Sequence, residues 1–301
     1  MSEFTVGFLG FGKAAFTIAE DLIAAGLKSI IVYDKNWDVE PYSAAIIQNA
    51  EKLSARVALS PSELANRAQV VISMVTPASS EEAFLSIAPY LSDNSFFIDM
   101  NSSSPMTKRS CYNYVCVNNP TVHYLDGCIL GAVSEKRIKT PVLLCGLKAS
   151  QMKEFLDNYG ANIEVLEGLP GDASAVKMVR SVFMKGIEAL FVETLHAAQA
   201  YNIQKQVVAT IKDTFETLTF DQLVNMLVTT HAIHGRRRQG EMEEVIDTLK
   251  AKNIDAKMSE STLEKFKWST ELALAGFFNN MLPERYDSVV EAIYTKARAL
   301  D

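Results

Sequence analysis

Apolar positions along this chain follow two rhythms, and the change between them divides it. Over the first 168 residues, short continuous apolar runs recur: TVGFLG, SIIVYD, VVISMV, SFFIDM, VHYLDG, PVLLCG and NIEVLEG. Runs without polar alternation predict strands buried on both faces, the pattern of a mostly parallel sheet. Segments with helical spacing stand between them. AAFTIAEDLIAAG follows the first run, PSELANRAQ carries a proline near its start, and SQMKEFLDNYG ends at Gly160. Strand and helix in alternation predict an α/β domain.

Beyond this the strand pattern stops and long amphipathic segments take over. Helices are predicted over 172–200, 204–217, 220–231, 234–252, 259–279 and 284–300. Gly and Pro cluster in EGLPGD, residues 167–172, where the boundary is expected. The chain therefore reads as an α/β domain over 1–169 and an all-helical domain over 170–301. A length of 301 residues suits two cores better than one.

The first strand runs into GFGKAA, which carries G-x-G-x-x-A at Gly10, Gly12 and Ala15. A strand before and a helix after is the context this motif needs. Gly10 permits the tight turn, Gly12 lets backbone approach a pyrophosphate, and Ala15 keeps helix and sheet close. Phe11, Lys13 and Ala14 complete the loop and the helix N-terminus, whose free N–H groups suit phosphate. Asp34 ends the next strand, about 20 residues on, where an acid binds both ribose hydroxyls of an adenosine. The α/β part is thus expected to be a doubly wound, Rossmann-type sheet that binds NAD. An acid at 34 repels a 2′-phosphate, and the adjacent Lys35 leaves room for NADP. Val75 and Thr76 follow a later strand and are expected beside the cofactor at the sheet's carboxyl edge.

Charge and cysteine content narrow the partners. A net charge of −7 argues against nucleic acid as a main partner. The four cysteines form no CxxC pair and stand in no metal-ligand spacing with the histidines, so reduced thiols and no metal are expected. The N-terminus enters a strand without the h-region of a signal peptide, and no apolar run is long enough to span a membrane. A soluble cytoplasmic protein is expected.

DMNSSSPMTKR, residues 99–109, also follows a strand, and on local chemistry it reads first as a helix cap and second as a polar binding loop. Together GFLGFGKAA, DMNSSSP, YLDGCILGA and GDASAVKMVRS resemble the β-hydroxyacid dehydrogenase family, which includes 6-phosphogluconate dehydrogenase and is related to the imine reductases. HGRRRQGEMEEVIDTL looks like a less characterised helical domain of a side branch. The resemblance implies that Ser102 meets the substrate and that Lys177 is catalytic. Where the family has a serine and two glycines for the substrate carboxylate, this chain has Leu130, Gly131 and Ala132. Where it has an asparagine one turn past the lysine, this chain has Ser181.

On a helical projection Val176, Val179, Phe183, Ile187 and Leu190 make one stripe, which reads as core. Lys177, Ser181 and Glu188 share another face, with Lys185 beside them, and Glu188 reads as an ion-pair partner of Lys185 or Arg180. A lysine partly buried near a nicotinamide would have a lowered pKa and could exchange a proton with a hydroxyl while hydride moves to or from the cofactor. Arg237 and His234 are candidates to reach a substrate, with pairing of Arg237 to Glu241 or Glu244 as the competing reading. The expected activity interconverts a hydroxyl and a carbonyl on a small 3-hydroxy acid or β-hydroxy amino acid. The departures at Leu130 and Ala132 keep C=N reduction on an apolar substrate open, and a non-catalytic NAD-binding sensor is a further alternative. Apolar stripes such as FDQLVNMLVTTHAI and ELALAGFFNNML predict a homodimer.

Overall fold

The computed structural model describes residues 4–299. The chain divides into two compact units, Met1–Val182 and Phe183–Asp301. In the first, strands and helices alternate: β1 (Val6–Leu9), α1 (Lys13–Ala24), β2 (Ile30–Tyr33), α2 (Tyr42–Lys52), β3 (Arg56–Val57), α3 (Pro61–Arg67) and β4 (Val70–Ser73). There follow α4 (Ser80–Ile87), β5 (Phe96–Asp99), α5 (Pro105–Asn118), β6 (His123–Ile129), α6 (Val133–Lys136), β7 (Val142–Cys145), α7 (Ala149–Asp157) and β8 (Ile163–Leu166). Helix α8 (Asp172–Ala200) begins in this unit and runs through the boundary.

The eight strands form one sheet in the order β3-β2-β1-β4-β5-β6-β7-β8. Every pairing is parallel except β6 with β7. The apolar runs are explained by burial on both sides. Val6, Phe8, Val70, Ile72, Phe96 and Ile98 pack into a core on one face. Leu9, Val71 and Phe97, the neighbours between and beyond them, pack into a second core on the other. The strand order reverses between β1 and β4, so the loops after these strands diverge and leave a crevice at their carboxyl ends.

The second unit is helical: the remainder of α8, α9 (Gln204–Thr217), α10 (Phe220–Lys250), α11 (Lys257–Glu271), the short α12 (Leu274–Phe277) and α13 (Tyr286–Ala297). Ala232, Leu272, Leu274, Val289 and Ala292 form one of its cores, and Ile246, Leu249, Ile254, Ala256 and Leu263 another.

Several expectations change. The predicted break between 231 and 234 is absent, and α10 is continuous through Gly235, which packs beside Thr270 of α11. The predicted helix 259–279 stops at Glu271, because Ala273 turns left-handed with φ 49°. The stripe on α8 read as core is largely open: Val179 is 71% and Phe183 52% exposed in the single chain. No helix among the described residues is long and apolar enough to cross a membrane.

Candidate active site

The glycine turn after β1 separates two clefts of the first unit. The first, about 480 Å³, lies at the strand-order reversal and includes Gly10, Gly12, Asp34, Lys35, Val75 and Thr76 in its lining. Gly10 has φ +86°, and a Cβ there would meet Val75 Cγ1 at 2.6 Å and the Met74 carbonyl at 2.7 Å, so only glycine fits. At Gly12 a Cβ would meet no atom within 4 Å and would project into open space. Gly12 also caps α1 without any side-chain hydrogen bond, so the helix keeps free N–H groups at this end. Asp34 is held by two backbone donors, Phe11 N to Oδ2 at 2.9 Å and Asn36 N to Oδ1 at 3.0 Å. Phe11 itself and Ala15 are buried, so their part is to shape the turn and its packing. A tight glycine turn, an uncapped helix N-terminus, open space above it and an acid at the end of β2 fit the phosphates and ribose of a nicotinamide dinucleotide.

The second cleft, about 420 Å³, is lined by Lys13, Ala14, Thr17, Ser102, Ile129, Gly131, Val133, Ser134 and Lys177. Lys177 comes from the first turns of α8 and Ser102 from the loop after β5. Lys177 Nζ donates to Ser102 Oγ at 2.7 Å. Burial holds the Lys177 ammonium below the ordinary lysine value. Lys108 and Arg180 push the same way, while Cys128, once ionised, and Asp126 oppose them. Beside Lys177, burial raises the thiol pKa of Cys128, which keeps it protonated.

Two loops of this cleft are tied down. Arg137, in the β6–β7 connection, donates to Asp21 Oδ1 through Nε at 2.8 Å and to Glu20 Oε2 through Nη2 at 2.6 Å, both acceptors on α1. That clamp fixes the segment of Gly131 and Ser134 against the helix of Lys13 and Thr17. Asn101, 4% exposed, accepts from Val75 N at 2.6 Å and donates to Ser73 Oγ and Ser80 Oγ. It thereby joins the loop after β4, in the first cleft, to the loop of Ser102, in the second.

The remaining sequence-derived candidates fall elsewhere. Ser181 spends its hydroxyl on the Lys177 carbonyl, 2.8 Å away within the same helix. Leu130 turns inward against Cys128, Leu143, Cys145 and Ala173, so the expected apolar contribution to the cleft comes instead from Ile129 and Val133. Arg237 and His234 stand on α10 in the second unit; Arg237 is paired with Glu241, and both it and His234 are exposed. Glu188 pairs with Lys185 at 2.7 Å. All four cysteines are free. Sequence reasoning passed over Thr17, Ser134, Asp99, Asp126 and Lys108, and took the Asn101 amide as part of a polar loop that could bind substrate, whereas the structure buries it as a tie between loops; only the position of Asp99 at the end of a strand run could have marked it.

The chain belongs to the family that carries the NAD binding domain of 6-phosphogluconate dehydrogenase, which residues 5–168 match. Residues 198–269 match a domain of unknown function, DUF1932. An uncharacterized 28.5 kDa protein of Methanothermus fervidus is 26% identical over 265 residues, 87% of this chain and 97% of its own. A conserved protein of unknown function, whose structure is described as similar to 3-hydroxyacid dehydrogenases, is 30% identical, with a TM-score of 0.60 over 90% of this chain and 99% of its own. An imine reductase of Myxococcus stipitatus in complex with NADP+ shares the fold, with a TM-score of 0.72 at 16% identity over 89% of this chain and 94% of its own. A variant of that enzyme was solved with NAD+. This chain is therefore an NAD(P)-binding, dehydrogenase-like protein.

Proposed function

We propose that the protein is an oxidoreductase acting on the hydroxyl of a small 3-hydroxy acid or β-hydroxy amino acid, with Lys177 as general acid/base. The observation that carries this reading is the Lys177–Ser102 pair, 2.7 Å apart, in a cleft whose lining holds a second lysine, Lys13, and no carboxylate among the described residues. The Lys13 cation and the hydroxyls of Thr17, Ser102 and Ser134 suit an anionic substrate. Each charge-assisted bond to its carboxylate is worth about 1.5–3 kcal/mol.

A bound nicotinamide supplies the hydride acceptor or donor. The chain handles the proton. With its pKa lowered, Lys177 offers a neutral Nζ that takes the proton of the substrate hydroxyl; in the reverse direction its ammonium returns that proton to the carbonyl oxygen. Ser102 orients the amine and the hydroxyl together. Lys13, in the lining of the same cleft, holds the carboxylate.

Asp34, fixed by the Phe11 and Asn36 N–H groups, supports a preference for NAD, since its charge opposes a 2′-phosphate. The open apolar face of α8, with Val176, Val179, Val182 and Phe183, supports a homodimer in which a second copy covers it. Free thiols suit a reducing compartment such as the cytoplasm.

C=N reduction is less well supported by this cleft, because an iminium cation would face Lys13 with no carboxylate in the lining among the described residues, and Leu130 does not line the wall. The test offers NAD and NADP with a panel of short 3-hydroxy acids and β-hydroxy amino acids, and the reduced cofactors with cyclic imines. Turnover of a hydroxy acid supports the proposal. Turnover of imines with silence across the acids would replace it.

A further inference from the structure

Beneath the Lys177–Ser102 pair lies a buried ionic cluster that the proton transfer itself does not use. Lys108 of α5 is 0% exposed, as are Asp99 and Asp126, which end and interrupt the adjacent parallel strands β5 and β6. Lys108 Nζ lies 2.6 Å from Asp99 Oδ1, 2.6 Å from the Asp99 carbonyl and 3.5 Å from Asp126 Oδ1. Tyr124 OH donates to Asp99 Oδ2 at 2.7 Å. Every member has its partners, since Ser95 Oγ is the one buried side-chain polar atom without a partner among the described residues.

Two arms leave this cluster toward the cleft. On one, Asp99 Oδ1 accepts from Asn101 N at 3.0 Å, and Asn101 is followed directly by Ser102. On the other, Asp126 accepts from Gly171 N at 2.9 Å, Ser174 N at 2.9 Å and Ser174 Oγ at 2.7 Å. These groups are the start of α8, and Lys177 stands one turn beyond Ser174. The arms meet again where Lys177 Nζ donates to Ser102 Oγ. Contacts and chain connections together close a ring: Ser102, its neighbour Asn101, Asp99, Lys108, Asp126, Ser174 and, one turn along α8, Lys177.

We propose that Lys108 is a positioning residue: it holds the Asp99 and Asp126 carboxylates together and thereby sets both Ser102 and the first turn of α8, which carries Lys177. The inference rests on the general acid/base reading of Lys177 for its functional meaning, but its geometry does not. A cation fits this place better than a second hydroxyl or amide, because two buried carboxylates side by side would otherwise repel one another. Lys108 is also a like charge to Lys177. The charged and titratable groups acting on Lys177 are Asp126 and Cys128 from β6, Lys108 from α5 and Arg180 from its own helix, and Lys13 lines the same cleft. Among them Lys108 favours the neutral amine and its loss would leave Asp126 to favour the ammonium.

The test reads Lys177 directly, without a substrate. Reductive methylation by formaldehyde is followed against pH by peptide mass spectrometry, which yields the apparent pKa of this one amine. In Lys108→Met the apparent pKa is expected to rise by about 1 on the pH scale. Because Lys108→Met leaves two carboxylates uncompensated, the double variant Asp99→Asn/Lys108→Met is measured alongside; it leaves Asp126 as the one carboxylate of the cluster, held by Gly171 N, Ser174 N and Ser174 Oγ, and the same upward shift is expected. Folding is checked by circular dichroism. A Lys177 pKa that stays depressed in a folded variant overturns the positioning role of Lys108. Failure of both variants to fold also overturns it, by assigning Lys108 to the stability of the sheet alone. A wild-type Lys177 that titrates at the ordinary lysine value refutes instead the general acid/base reading, so the two failures are distinguishable.

Discussion

The amine of Lys177 lies 2.7 Å from the hydroxyl of Ser102, a residue 75 positions earlier in the chain. The contact joins the start of the long helix α8 to the loop that ends β5. Neither residue's local sequence indicates that it meets the other. Their meeting depends on the sheet, which brings the carboxyl ends of β5 and β6 beside one another and seats α8 above them.

The direction of the Lys177 shift fixes the pH dependence of the two half-reactions. Burial favours the neutral amine, so the form that accepts a proton is populated below the ordinary lysine value. Hydroxyl oxidation should rise about tenfold per pH unit below the Lys177 pKa and level off above it. Carbonyl reduction needs the ammonium and should fall through the same pKa. Parallel kcat/KM profiles in the two directions, at saturating cofactor, check this. Profiles that move together would point to another group.

Asp34 should set cofactor choice. Its carboxylate is held by Phe11 N and Asn36 N and lines the first cleft. Asp34→Ala should weaken NADH binding by about 1.5–3 kcal/mol, roughly ten- to a hundredfold, through loss of charge-assisted bonds to the ribose. Binding of NADPH should change less or improve. Cofactor titrations by fluorescence give both numbers. Equal losses for the two cofactors would mean that the acid supports the turn and nothing more.

Asn101 should matter to both clefts at once. Its side chain satisfies Val75 N and two buried serine hydroxyls. Asn101→Ala leaves Val75 N and Ser73 Oγ without this partner and Ser80 Oγ with Ser103 alone, at a cost of about 1–3 kcal/mol in unfolding free energy. Because Val75 borders the cofactor cleft and Ser102 the catalytic one, cofactor affinity and turnover should both decline. Urea unfolding and cofactor titration measure the two effects separately, and a stability loss with both functions intact would contradict the linkage.

The open face of α8 should be covered by a second copy of the chain. Val179 and Val182 are 71% and 77% exposed, adjacent to Val176 and Phe183. Sedimentation equilibrium at micromolar concentration should return a dimer, and Val179→Glu should shift it toward monomer. A monomeric wild-type chain would contradict the pairing.

Much of this fold is legible in the order of apolar runs, because strands buried on both faces leave an uninterrupted signal. Val6–Leu9, Val70–Ser73 and Phe96–Asp99 stand out for that reason. Helix α2 and strand β3 do not. Few positions of α2 are buried, Ile46 and Ala50 among them, and β3 is two residues long at the sheet edge, too short for any period. The end of α11 is illegible because it depends on a left-handed alanine, a conformation that alanine does not advertise. The glycine turn and Asp34 are readable from spacing. The buried ring is not, since Lys108 sits in PMTKRS, a stretch whose charges suggest solvent, and only the pairing of β5 with β6 reveals where it points. Likewise the apolar stripe of α8 has the right period for burial, but periodicity does not say whether the same chain or another covers it.

The most direct test of the central claim is Lys177→Met, assayed with NAD and the hydroxy acid that the wild type oxidises best, by the near-ultraviolet absorbance of the reduced cofactor. The change removes the amine and keeps the unbranched shape of the side chain, one atom shorter. Turnover should fall by about 10²–10⁴-fold, the usual worth of a positioned general base, with NADH affinity unchanged and the remaining rate no longer dependent on the Lys177 pKa. A variant that retains wild-type turnover and the wild-type pH profile would show that the proton goes elsewhere.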